Sequence, residues 1–210
     1  MNIERRDFAI SDLEIRADAS AEGQTLSGYA AVFDTPSRDL GGFVEYIRHG
    51  AFKRSLGEAQ SGNPDHNIFA LWSHRSDLPL GSIKGGKLRL TEDERGLRFD
   101  LDTSRFTPAQ LDAARDGELR MSFGFSVREQ SWTTAEGHDE RSLIDLDLYE
   151  VSPVINPAYP DTSAALRQHR DWLSAQTETI EHPVELTTDE VRQIELLKRL
   201  ADQKIELTRL

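Results

Sequence analysis

The clearest pattern in the chain is the run LRMSFGFSVRE, Leu119 to Glu129. Met121, Phe123, Phe125 and Val127 alternate with Ser122, Gly124, Ser126 and Arg128, the period of a strand with one face packed and the other open. The open face is small and hydroxylated, which suits either a solvated surface or a floor carrying a nucleophile. Other strand-like runs surround it. Residues 10 to about 33 read as strands broken by DASAEGQT, with LSGYAAVF as a buried strand. FVEYI and IFALWSH are compact strands, LPLGSI is a turn and the start of a strand, and KLRLTEDERGLRFDLD is a hairpin around Glu94–Gly96. A polar hairpin, EQSWTTAEGHDERS, leads to the strand LIDLDLYEVS.

Helical spacing interrupts the series. GAFKRSL predicts one helical stretch ending before Gly57, followed by the loop GEAQSGNPDHN. FTPAQLDAARDGEL is better punctuated: Thr107 suits the N-cap, Pro108 the first helical position and Gly117 the residue past the end. PVINPAYPDTS, with three prolines, halts regular structure. Many short strands with helices between them predict a mainly β fold with α-helices, an antiparallel β-barrel carrying helices.

Beyond residue 166 the character changes. AALRQHRDWLSAQ is helical, TETIEHPVEL is a linker, and TTDEVRQIELLKRLADQKIELTRL predicts a second helix opened by a capping box of Thr187 and Glu190. Its apolar stripe (Ile194, Leu197, Ala201, Ile205) must be covered by its own domain, by a partner or by another copy of the chain. The expected division is a domain at 1–166 and a helical tail at 167–210.

Composition narrows the function. A formal charge of −12 over 210 residues argues against a nucleic-acid grip, which needs clustered Lys and Arg. No cysteine is present, so disulfide and thiol chemistry contribute nothing. The start, MNIERRDFAISDLEIRAD, has no apolar core of a secretory signal, and no run approaches the ~18 apolar residues of a membrane span. A soluble intracellular protein is expected.

Of the six histidines, His138, His169 and His182 fall in the polar hairpin or the tail and read as solvated, while His49 reads as structural. His66 and His74 remain. His74 shares strand parity with Ile68, Ala70 and Trp72, and Glu150 shares the apolar side of Ile144, Leu146 and Leu148, with Asp145 and Asp147 facing solvent. A carboxylate on a buried face needs a cation or hydrogen-bond donors. Ser122, His74 and Glu150 would supply a nucleophile, a base and an orienting acid from three strands, and Gly124 would leave room for a peptide backbone. Simple alternation, however, puts Ser122 on the open face and the other two on buried faces, so this constellation requires a bulge or strand end to re-aim them. The alternatives are a structural histidine and a buried Arg–Glu bridge. A metal site from Asp65, His66, His74 and Asp77 matches no ligand motif, and neither metal nor cofactor is expected.

LSGYAAVFDTPS, GGFVEYIRHGAFKRSL, LWSHRSDLPLGSI, LRMSFGFSV and LYEVSPVINPAYPDTSA stand in the order seen in the prohead (procapsid maturation) proteases of tailed phages, related to proteins of prophages and gene-transfer particles. The resemblance covers about residues 10 to 166. It implies a fold similar to the herpesvirus assemblins, a β-barrel surrounded by helices. It implies a serine endopeptidase with His74 of LWSH as base and Ser122 of MSFGF as nucleophile. Assemblins use a second histidine as third member; here Glu150 takes that place, with Asp147 in reserve, and the oxyanion donors are sought near Gly124 or Arg128. It further implies action inside the immature capsid, in the host bacterial cytoplasm, on the major capsid protein or a scaffold protein, followed by self-digestion. A possible homo-oligomer fits this picture; nucleic acid and membrane partners do not. The alternative is a non-catalytic scaffolding or capsid-assembly protein.

Overall fold

The computed structural model describes residues 3–8, 14–17, 24–135, 137–155 and 163–180, and the chain divides into two compact units, Met1–His169 and Arg170–Leu210. The elements are β1 (Glu4–Phe8), β2 (Glu14–Ala17), β3 (Gln24–Val32), β4 (Phe43–Ile47), α1 (Lys53–Gln60), β5 (Phe69–Trp72), β6 (Arg75–Ser82), β7 (Leu88–Glu92), β8 (Gly96–Asp102), α2 (Pro108–Arg115), β9 (Arg120–Ala135), β10 (His138–Val154) and α3 (Ser163–Ile180). The protein is mainly β. One sheet runs β1-β9-β10-β5-β6, with β4 also on β10, and curls into a half-barrel. The other runs β2-β3-β8-β7. Leu26 of β3, Leu90 of β7, Phe99 of β8, Phe123 and Phe125 of β9 and Phe52 beside α1 all lie in one buried core drawn from both sheets.

Several boundaries differ from the sequence pattern. The polar hairpin expected at EQSWTTAEGHDERS forms, but its strands are the far half of the longer β9–β10 ladder, which stays paired from Arg120 and Val154 out to Ala135 and His138. Thr133, Thr134 and Trp132 favour extended backbone there despite their polar neighbours. All of LPLGSI but its last residue lies within β6, which starts at Arg75 because Trp72 already pairs with that residue. The helix predicted to end before Gly57 continues to Gln60. Ser55, Leu56 and Ala59 form its buried face, and that packing outweighs the roughly 1 kcal/mol a mid-helix glycine costs. At α2 the expected punctuation holds: the Thr107 side chain accepts from the Gln110 N–H, Gln110 bonds back to Thr107, and Gly117 has φ +72°.

The course of β10 fixes the site. β4 pairs with its residues 139–143 and β5 with Glu150 and Val151 on the same edge, leaving a gap between them. Helix α1 seals that gap. Leu146 N–H donates to the Ala51 carbonyl at 2.9 Å and Leu148 N–H to Ser55 Oγ at 3.0 Å, while Arg54 donates to the Leu146 carbonyl at 3.3 Å. Backbone groups that no strand serves are thus paired, and β10 can break register there, between Leu143 and Leu146 and again between Leu148 and Glu150.

A four-charge cluster ties β1 to the sheet on the core side. Arg6 bonds Glu45 at 2.8 Å and Glu4 at 2.6 Å; Arg141 bonds Glu45 at 2.7 Å and Glu4 at 2.9 Å. All four side chains are buried, with Gln130 and Gln168 as further partners of Arg141. His169, expected in solvent, is buried instead: it bonds Asp139 at 2.7 Å and stacks on Trp132. The helix read at AALRQHRDWLSAQ is the start of α3, which continues to Ile180 through the first residues expected as linker. The second tail helix, His182 and most of PVINPAYPDTS lie outside the described residues.

Candidate functional site

β9 is regular through Ser122 and Gly124, so both keep the face opposite Phe123 and Phe125. On β10 the irregularity after Leu148 moves Glu150 onto this same face: Leu148 pairs with Phe125, but Glu150 pairs with Gly124 and Ser152 with Ser122. Ser55 fixes the point of departure, since its hydroxyl bonds both the N–H and the carbonyl of Leu148. The bulge demanded by the sequence reading is therefore present.

His74 reaches the face from a strand end. Ser73 and His74 form the turn between β5 and β6 with φ +50° and +61°, the left-handed region that non-glycine residues seldom occupy. The turn is held by Ser73 N–H donating to the Pro153 carbonyl at 3.1 Å and His74 N–H donating to Ser152 Oγ at 3.2 Å. The His74 ring then lies against Glu150, Nδ1 to Oε1 at 2.5 Å. A carboxylate accepts, so Nδ1 carries a proton, and in the neutral imidazole Nε2 is left as the acceptor. Ser152 donates to the other carboxylate oxygen, Oε2, at 2.5 Å. One buried hydroxyl thus positions both the acid and the backbone of the base.

Ser122 is fully buried and donates to the Arg6 carbonyl of β1 at 3.0 Å. His74 and Glu150 are brought together; Ser122 stands on the same face, opposite Ser152, with its hydroxyl turned to β1. Among the described residues no hydrogen bond joins Ser122 to His74.

A family model described as caudovirus prohead serine protease matches residues 11–175. The chain belongs to that family. Membership makes the serine-protease class and the setting of capsid maturation the frame for these residues, and carries association with the capsid and its scaffold. No curated protein matches the chain, and no solved structure does. Among the described residues no helix is long and apolar enough to cross a membrane.

Within that frame the other candidates have different surroundings. Asp147, the reserve acid, faces Arg54 at 2.7 Å and Arg128 at 2.7 Å rather than His74. Burial alone raises its carboxyl, but hydrogen bonds from the two arginines hold it below the ordinary value. Asp145, expected in solvent, also binds Arg54, at 2.8 Å. Arg128 is therefore an ion-pair partner of Asp147. His66 meets Ser55 at 3.1 Å, a second serine–histidine contact, but that hydroxyl is occupied by the backbone of β10. Asp77 pairs with Arg75 at 2.7 Å. Among the described residues no group of three or more metal-binding side chains converges.

Ser152 was missing from the sequence reading. Its signal was available in LYEVSPV: it shares parity with Glu150 and is the only hydroxyl two residues beyond it.

Proposed function

We propose that this chain is the maturation endopeptidase of a tailed-phage prohead, with Ser122 as nucleophile, His74 as general base and acid, and Glu150 as the orienting carboxylate. The observation that carries this reading is the His74–Glu150 bond, which leaves Nε2 of an otherwise positioned imidazole as an acceptor on the face that also bears Ser122. A serine hydroxyl becomes nucleophilic only when a base takes its proton in the transition state. With substrate bound, the Ser122 hydroxyl leaves the Arg6 carbonyl and turns to Nε2. Oγ bonds to the scissile carbonyl carbon as its proton passes to His74. The tetrahedral species collapses, His74 protonates the departing amine, and an acyl-serine remains. Water then attacks the acyl carbon, giving its proton to His74, and Ser122 recovers its hydrogen as the carboxylic acid leaves. Glu150 stays ionised and stabilises the imidazolium.

Substrates in this reading are the scaffolding segment of the major capsid protein or a separate scaffold, enclosed with the enzyme at high local concentration, and finally the protease itself. The curled sheet is read as the wall of an assemblin-like barrel. Residues 167–210 form a tail that docks on scaffold or on a second copy and is removed by self-cleavage. Since Gln168 and His169 bind Arg141 and Asp139, the tail is tested by a chain ending after Ile180: it should fail to enter proheads, and normal entry would remove the docking role.

The test of the activity is co-expression with the major capsid protein of the same phage. The wild type should yield a shortened capsid protein and Ser122→Ala none. A non-catalytic scaffolding protein would instead tolerate Ser122→Ala without change in the assembled particles.

A further inference from the structure

Beside the His74–Glu150 pair the surface opens into a cavity of about 440 Å³. Its apolar lining comes from Phe69, Leu71, Pro79 and Ile3. Phe69 is 42% exposed and Ile3 43%, a concentration of uncovered apolar surface next to polar groups that marks binding sites. Tyr149 stands at the rim with its hydroxyl fixed by Ser126 at 2.8 Å.

The sheet register orders this surface. Arg5 pairs with Gly124, Gly124 with Glu150, and Glu150 with Phe69. A single rung across four strands therefore presents a cation, a glycine over which the Glu150 carboxylate lies, that carboxylate holding His74, and an aromatic ring. Arg5 differs from the arginines described above. Arg6, Arg54, Arg128 and Arg141 all pair with carboxylates, whereas the exposed Arg5 guanidinium has no acidic partner among the described residues, although the chain carries a formal charge of −12. An unpaired cation lining a cavity with apolar walls is complementary to a ligand that is apolar in one part and anionic in another.

We propose that this cavity is the specificity subsite of the protease, taking a large apolar side chain of an extended peptide, while Arg5 pairs with an acidic side chain close to it in the substrate sequence. The proposal rests on the serine-protease reading of His74, Glu150 and Ser122, and deepens it by naming the substrate class. Gly124 lies beneath the Glu150 carboxylate, whose Oε1 is 2.5 Å from where a Cβ would stand, so the peptide passes over the His74–Glu150 pair on its way between the two anchors. Phe69, Leu71 and Pro79 select the apolar residue; Arg5 selects its acidic neighbour.

The purified full-length chain is incubated with a peptide library made by digesting a bacterial proteome, and the new ends are mapped by mass spectrometry. Cleaved sites should be enriched in Leu, Ile, Met or Phe at one fixed position and in Asp or Glu at a nearby one. Phe69→Ala, a change at a half-exposed position that the fold tolerates, should weaken the apolar preference by about tenfold, the scale on which lost pocket contacts discriminate substrates. Arg5→Glu, also at an exposed position, should replace the acidic preference by one for Lys or Arg. Cleavage that depends on Ser122 but shows no fixed apolar position, or preferences that neither variant changes, overturns the subsite and leaves the protease reading intact. Absence of any cleavage that depends on Ser122 overturns the protease reading, and the subsite with it.

Discussion

Gly124 sits across the ladder from Glu150, and a methyl group added there would lie 2.5 Å from Oε1 of that carboxylate. Gly124→Ala is therefore expected to push Glu150 away from His74 with little effect on the core, lowering the rate by about 100-fold, the penalty of a roughly 1 Å misplacement. Ser152→Ala removes the hydroxyl that grips both Oε2 and the His74 N–H; a similar loss in kcat is expected, with KM little changed because Ser152 is fully buried. Ser122→Ala and His74→Ala should each cost about 10⁴- to 10⁶-fold. Peptidase assays on folded variants, with circular dichroism as the check on folding, measure all of these. If Gly124→Ala and Ser152→Ala leave kcat untouched, the carboxylate is a structural partner of the turn and not part of the machinery.

Among the elements, β9 was the most legible in the sequence because nothing disturbs its alternation around Ser122. β10 was not. Its strict parity put Glu150 with Leu146 and Leu148, and the shift that moves it is set by Ser55 of α1, about ninety residues earlier in the chain. His74 likewise arrives through a left-handed turn secured by Pro153 and Ser152, partners that local pattern does not reveal. His169 was misread for the same kind of reason: Trp132 and Asp139, which bury it, come from the β9–β10 hairpin. The requirement for a bulge was legible; its location was not. The element that most affects stability is β1, through its ion cluster. Arg141→Met leaves two buried carboxylates to Arg6 alone and should cost ~3–5 kcal/mol in chemical denaturation. Burial by itself raises the Glu4 carboxyl, but Arg141 and Arg6 outweigh it, so its folded pKa lies below the ordinary value. Its stabilisation is complete above the unfolded pKa, near 4.3, and is lost as pH falls through the lower folded value. Between about pH 5 and 3 the wild type should lose denaturant resistance more steeply than Glu4→Gln. Parallel slopes would mean that Glu4 gains no net stabilisation from its arginines.

At the largest scale, the two sheets of the Met1–His169 unit enclose an apolar core, while the opposite face of the larger one bears the residues proposed for catalysis, a division the alternation of MSFGFSV already contained. Family membership supplies the setting, the prohead. Activation of Ser122 by the His74–Glu150 pair can be read out by active-site labelling. Full-length protein is treated with a fluorophosphonate, which reacts covalently with an activated serine, and the adduct is located by peptide mass spectrometry. A single adduct on Ser122, abolished by His74→Ala and strongly slowed by Glu150→Gln, is the expected result. Labelling of another serine, or of Ser122 at an unchanged rate in His74→Ala, would contradict it.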